Sequence, residues 1–328
     1  MSAYLNDLID RMLDTTWPEG AISSEDTPSW KAMREAEQLT APGLAAELMA
    51  CIEAEEDIER RRKAYWILGK LCQNVGNQEA LQYLVNRLES ETLNSVLISI
   101  LTGMEDVHKP AETCLAPVFN LIRQHKGEYQ QSLDDDSHVQ SAAILALKET
   151  NNPEVEPLLL EVCQTFEDSD DNRLWRCLYV LANIGTRQSI PQLERLASHK
   201  KTDISSIALH AILELGDQRE LPIFECFIQE GRNKDLALYA LTRLGNEAHI
   251  PLVIKRLKEL LGKKRSEEVF IGDEGENTEL MLGVKFLAQY QQASLDIQKL
   301  FALLADKKWD KLFACEKKLL TGLGLAPP

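Results

Sequence analysis

The sequence predicts an all-α fold, a right-handed α-α superhelix of about seven stacked helix pairs with capping helices. Three observations predict it. Counting back from Gly76, Gly185, Gly216 and Gly245, the residues one, four, five and eight positions earlier are apolar in every copy, which is a helical stripe and not the alternation of a strand. A second apolar run follows each glycine after a short polar turn, with Leu81, Ile190, Leu221 and Ile250 standing five residues on. The markers Asn151, Gly185, Gly216 and Gly245 recur 34, 31 and 29 residues apart. That period holds two short helices, and such a pair buries both its faces only by stacking on neighbours.

Taken in order, residues 1–41 read as an N-terminal helical cap. A short helix spans about 3–13, a loop carries Trp17, Pro18, Gly20 and Pro28, and a helix runs from Trp30 to Gln38. Residues 42–305 form the repeat solenoid. Its pairs fall on 43–88, which includes one extra leading helix, then 91–126, 137–166, 172–198, 203–230, 233–261 and 277–305. Each marker glycine is expected to end its helix in the left-handed conformation, which a Cβ disfavours. Asn151 fills that place in ALKETNNPEVEPLLLEV, with Asn152 placed to cap the next helix and Pro153 in its first turn. Pro191, Pro222 and Pro251 also read as first-turn residues, where a missing N–H costs nothing. Residues 306–328 supply a C-terminal capping helix, over about 308–322, and a frayed tail.

Composition agrees with a folded, helix-rich chain: hydrophobic residues are 44% and charged residues 27%, while aromatics are only 6%. The formal charge of −16, from 36 Lys and Arg against 52 Asp and Glu, repels a phosphate backbone. It argues against nucleic acid and anionic membrane and for a basic protein partner. The 7 cysteines form no CxxC pair and are odd in number, which suits reduced, buried thiols. Asp7, Asp10 and Asp14 interrupt the start, unlike a signal peptide, and no apolar run reaches membrane-spanning length. The expectation is a soluble, cytoplasmic protein, monomeric by itself.

The segments IGTRQSIP, LGDQRELP and LGNEAHIP, each a helix end, a glycine turn and an Ile-Pro or Leu-Pro start followed by an apolar ladder, resemble the short HEAT-like repeats first named for phycobilin lyases. The resemblance extends over residues 137–261 and, less closely, 42–126. It implies an α-solenoid; lyase activity is implied by the repeat name alone, with no pigment-specific residue to carry it. The tetratricopeptide alternative has a similar period, but WILG at 66–69 misses that family's Trp-to-Leu-Gly spacing by one residue, and ankyrin's TPLH is absent.

Links between pairs share one edge of such a stack, so their charges gather. Glu53, Glu55, Glu56 and Asp57, then Asp134, Asp135 and Asp136, then Glu167, Asp168, Asp170 and Asp171, then Asp273, Glu274 and Glu276 are expected to form an acidic rim. Lys200, Lys201, Lys263, Lys264 and Arg265 interrupt it. A rim of this sign steers a basic partner and speeds its capture. The position seven after each marker gives Tyr83, Gln192, Ile223 and Leu252, a mixed stripe on the second helices that is a further candidate for partner contact.

Catalytic signals are missing. None of the 6 histidines precedes a glutamate, so the His-Glu ligand pairs of the HEAT-type deoxyhypusine hydroxylases have no counterpart. The DSDD run at 168–171 lacks the glycine and terminal glutamate of an EF-hand loop. The net acidity opposes a DNA-glycosylase reading, and the cationic run Arg60 to Lys63 follows Glu53 to Glu59 closely enough to be neutralised internally. Phosphate-binding glycine loops, GxSxG and HExxH are likewise absent. Trp66 and Trp175 sit in amphipathic helices and are expected in the core. The sequence thus points to a non-catalytic scaffold without cofactor or metal that captures a basic protein, as an inhibitor or immunity-type protein, with an adaptor or assembly factor and a lyase-type enzyme as alternatives.

Overall fold

Side-chain caps start many helices. Ser2, Thr27, Asp57, Asn77 and Thr278 each accept a first-turn backbone N–H, from Leu5, Trp30, Arg60, Ala80 and Met281 respectively, at 3.0–3.4 Å. Each such cap stabilises its helix by about 1 kcal/mol. Pro222 and Pro251 stand in the first turns of their helices, as their missing N–H requires.

The computed structural model describes residues 2–41, 43–124, 136–168, 172–265, 270–272, 275–292 and 294–327. The chain divides into two units, Met1–Ser189 and Ile190–Pro328. In the first, the helices are α1 (Ala3–Leu13), α2 (Pro28–Ala36), α3 (Gly43–Ala54), α4 (Ile58–Val75), α5 (Gln78–Ser90), α6 (Asn94–Met104), α7 (Ala116–Gln124), α8 (Asp136–Leu145), α9 (Val155–Phe166) and α10 (Asn172–Ile184). Helices α4, α6, α8 and α10 pack in series as one layer, and α3, α5 and α7 form a second layer against it. Helix α9 lies on α10, and α1 and α2 cover α4.

The second unit contains α11 (Ile190–Ala197), α12 (Thr202–Leu215), α13 (Leu221–Glu230), α14 (Lys234–Leu244), α15 (Ile250–Leu261), α16 (Glu279–Ala288), α17 (Leu295–Leu303) and α18 (Ala314–Gly322). Here α12, α14 and α16 make one layer and α13, α15 and α17 the other, with α18 on α16. Each unit is therefore a two-layer stack of helix pairs. Among the described residues the one exception is a hairpin in the long link before α16, β1 (Phe270–Gly272) against β2 (Gly275–Asn277), antiparallel, with Phe270 opposite Asn277.

The repeat positions behave by geometry. Those four, five and eight before each marker glycine are buried in all four copies, whereas Val75, Ile184, Leu215 and Leu244, one before, are only half-buried. The reason for the glycines differs from the expectation. Gly76 is left-handed, with φ 65°, but Gly216 and Gly245 are extended, at φ −91° and −76°, and Gly185 and Asn151 take no positive φ. At Gly216 the requirement is space: a Cβ would lie 2.6 Å from the Ile212 carbonyl oxygen and 2.8 Å from Glu220 Oε2. In the Asn151 copy the left-handed residue is Glu149, φ 59°. The closing helix also starts later than expected, because a π-helical turn over Leu304–Lys308 and a 3-10 turn over Trp309–Lys311 precede α18.

Candidate functional site

The outer side chains of α4, α6, α8 and α10 form one strip across the first unit. On α4 the buried residues Ala64, Ile67, Leu68 and Leu71 leave Arg62, Lys63, Trp66 and Lys70 on the opposite side. The strip is continuous by contact. Lys70 Nζ stands 5.8 Å from the centre of the Trp66 ring and 3.5 Å from Asp106, and Asp106 accepts from Lys148 at 2.8 Å. Lys148 lies 5.7 Å from the Tyr179 ring, which stacks on Trp175 at 5.4 Å with the planes 7° apart. Trp175, expected in the core, is 37% exposed; it falls on the polar edge of α10, away from the buried Leu174, Cys177, Leu178 and Leu181.

Two depressions flank α6 along this strip. One, of about 90 Å³, lies among Met12, Met33, Lys63, Trp66 and Ser99. The other, of about 150 Å³, lies among Ile98, Thr102, Glu105, Leu145 and Arg176. Burial works to raise the Asp106 carboxyl, but Lys148 and Lys70 together hold it below the usual carboxylate value. Glu105 is shifted the other way, up, by burial first and then by Asp106. Burial, helped by Arg62, lowers the Lys63 ammonium. Flat aromatic faces, shallow hollows and mostly paired charges suit a polypeptide surface better than a reaction centre.

The predicted rim is partly consumed within the unit. Glu53 accepts from the Tyr83 hydroxyl at 2.8 Å and pairs with Arg87 at 3.3 Å. Glu55 takes Arg60 at 2.9 Å, and Asp57 caps α4. Arg60 also reaches Asp10, Arg61 pairs with Glu91 and Arg62 with Glu59, so the three arginines of the cationic run are neutralised locally while Lys63 stands on the strip. Glu167 ends α9 and Asp168 follows it, exposed. Asp136 opens α8, and Glu276 lies on β2. Asp134, Asp135, Asp170, Asp171, Asp273 and Glu274 lie outside the described residues. The second-helix stripe is not an open surface at its polar positions. Gln192 is 6% exposed and accepts from Arg195, and the Tyr83 hydroxyl is committed to Glu53, with burial and that carboxylate pushing its pKa up.

Charge is divided unevenly. Residues 1–189 hold 32 Asp and Glu against 16 Lys and Arg, while residues 190–328 hold 20 of each. The whole net charge of −16 thus belongs to the unit that carries the strip.

Other polar clusters serve the turns. Four residues after the marker glycines stand Ser189, Glu220 and His249, all buried. Ser189 donates to Glu156 at 2.5 Å, and Glu156 also accepts the Thr186 N–H at 2.8 Å. Glu220 takes the Asp217 N–H at 2.7 Å. His249 Nδ1 accepts the Asn246 N–H at 3.0 Å, and its Nε2 faces Glu225 at 3.0 Å. Sequence reasoning missed this series, although the common offset of four residues was a usable signal. Among the described residues no three His, Cys, Asp or Glu converge as a metal site, and no helix is long and apolar enough to cross a membrane. No disulfide forms among the 7 cysteines; Cys51, Cys72, Cys163 and Cys177 are buried as expected, while Cys114 and Cys226 are exposed.

No curated protein matches the chain. The family described as the Vitellogenin TPR domain matches residues 46–221, from within α3 to the first residue of α13. That span includes the strip from α4 to α10. The family carries the tetratricopeptide label that the Trp66-to-Gly69 spacing argued against, and a single motif spacing weighs less than a match across many helices. With more than half of its residues covered by this match, the chain belongs to the Vitellogenin TPR domain family of helical-repeat proteins.

Proposed function

We propose that the chain is a non-catalytic scaffold of HEAT-like helix pairs that captures a basic protein in the cytoplasm. It acts as an inhibitor or immunity-type protein, monomeric by itself and without cofactor. The observation that carries this reading is the strip from Trp66 through Lys70, Asp106 and Lys148 to Tyr179 and Trp175. Its one carboxylate, Asp106, is shared by the two ammoniums of Lys70 and Lys148, and the exposed face of Trp175 offers a π surface to partner Arg or Lys side chains. The net charge of −16 in the same unit supplies long-range attraction for such a partner.

The test is affinity capture from an extract of the producing cell, at low and high salt, with the native chain and with Trp175→Ala. The expected result is a stoichiometric basic partner whose association slows in high salt, and which the variant binds at least about tenfold more weakly, a loss of about 1.4 kcal/mol. Equal capture by Trp175→Ala eliminates the strip. A partner of acidic character eliminates the electrostatic half of the proposal. Replacing Asp134 to Asp136 and Glu167 to Asp171 by serine tests the rim separately, as a slower association with an unchanged circular dichroism spectrum.

A further inference from the structure

The second unit holds a cationic notch that the docking strip does not use. It is a hollow of about 410 Å³ at the end of α15, walled by Lys263, Lys264, Arg265, Lys311 and Phe313. Its back is fixed. The Arg265 side chain, 10% exposed, forks onto the fully buried Glu316, with Nη1 to Oε1 at 2.6 Å and Nη2 to Oε2 at 2.8 Å. Nη2 donates also to the Lys311 carbonyl at 3.1 Å, and the guanidinium lies 4.7 Å from the centre of the Phe313 ring. Glu316 is further held by the Thr278 hydroxyl at 2.7 Å and the Phe313 N–H at 3.0 Å.

This arrangement leaves a defined excess. Glu316 cancels the charge of Arg265, yet only three of that side chain's hydrogen bonds are directed at the protein, so two of its N–H donors have no described protein acceptor. Lys263, Lys264 and Lys311 are exposed, and among the described residues no carboxylate lies within ion-pair reach of them. Elsewhere in the unit some cations are paired, Lys234 with Glu259, Arg243 with Glu214 and Arg256 with Glu279, and what sets the notch apart is that its three lysines converge on one hollow. Three ammoniums gathered in one hollow with no carboxylate partner among the described residues are an anion's complement. A singly charged carboxylate answers one of the three. A phosphate dianion answers two, and its three oxygens can also take the spare guanidinium N–H groups. The volume leaves room for an organic body against Phe313.

We propose that this notch binds a phosphate dianion, carried either as a monoester on an organic group or as free phosphate. The full chain is titrated calorimetrically at low salt with phenyl phosphate, inorganic phosphate and benzoate. Phenyl phosphate is expected to bind saturably at one site, with benzoate at least about tenfold weaker. Phenyl phosphate binding more tightly than inorganic phosphate assigns the site to a phosphorylated organic group, and equal or weaker binding assigns it to free phosphate. Lys263→Ser with Lys264→Ser, and separately Lys311→Ser, are expected to lose at least about tenfold in affinity with an unchanged circular dichroism spectrum. Lys255→Ser with Lys258→Ser, on the exposed side of α15, serves as the control for non-local charge and is expected to bind normally. Three outcomes overturn the site: no saturable binding up to about 5 mM, benzoate equal to phenyl phosphate, or the control losing as much as the notch variants.

Discussion

Lys109 shows how one residue ties two helix ends together. It is fully buried, and its Nζ donates to the carbonyls of Val107 at 2.5 Å, Lys148 at 2.7 Å and Glu105 at 3.4 Å. Its backbone bridges Thr150, so the segment after α6 is bound to the segment after α8. Burial pushes the ammonium down to about 7, against the upward pull of Glu149, Asp106, Cys72 and Glu105. The unfolded chain holds the same proton to about 10.4. Between those values the unfolded state binds more protons, so Lys109 makes stability rise with pH, by up to about 1.4 kcal/mol per unit. Below about 7 both states are protonated and the contribution is flat. Lys109→Met orphans the carbonyls and is expected to cost about 1–3 kcal/mol at neutral pH. The gap in urea stability between native chain and variant should widen from pH 7 to pH 9; a gap that narrows contradicts this account of the proton.

At the scale of helices, the α4–α6 crossing depends on backbone meeting backbone. A Cβ on Gly69 would run into the carbonyl of Gly103, whose own Cβ position is 3.5 Å from the Gly69 Cα. In an isolated helix Gly→Ala stabilises by about 1 kcal/mol. Here Gly69→Ala is expected to destabilise by about 1–3 kcal/mol through overpacking, read as a lower urea midpoint; unchanged or raised stability would show that the helices can separate freely. Helix positions were legible in the sequence because their signals are local: Asp57 and Asn77 cap the helices they precede, and the positions four, five and eight before each glycine repeat the buried stripe. The Gly69 and Gly103 contact was not, since it joins residues on different helices with no shared motif. The strip proposed for docking was obscured for a similar reason. Trp66 and Trp175 share a helical face only after α4, α6, α8 and α10 are packed in series, and tryptophan's apolar bulk suggested the core. Tyr83 and Gln192 are equivalent in repeat position but are held by Glu53 and Arg195, partners that the repeat does not specify.

Across the whole molecule, the division of charge sets an opposition between stability and association. Residues 1–189 contain twice as many acidic as basic residues, 32 against 16, whereas residues 190–328 are balanced at 20 each. Local pairs such as Arg60 with Glu55 and Arg87 with Glu91 relieve particular contacts but leave the excess in place. That excess repels itself in the folded unit, and under the proposed function it also attracts a basic partner from a distance. Salt screens both effects, because the Debye length falls to about 10 Å at 0.1 M. Raising sodium chloride from about 0.02 M to about 0.3 M is therefore expected to slow amide hydrogen exchange in the cores of α4, α6 and α10 by roughly three- to tenfold, on the order of 1 kcal/mol. Exchange in α12, α14 and α16, whose unit has no net charge to screen, should change little under the same conditions. Exchange measured by mass spectrometry on the full chain reads both sets of helices in one sample, so a general stabilisation by salt would appear in each. Equal slowing in both sets would mean that the acidic excess does not strain the first unit, and salt-sensitive partner capture would then need a more local origin than its net charge.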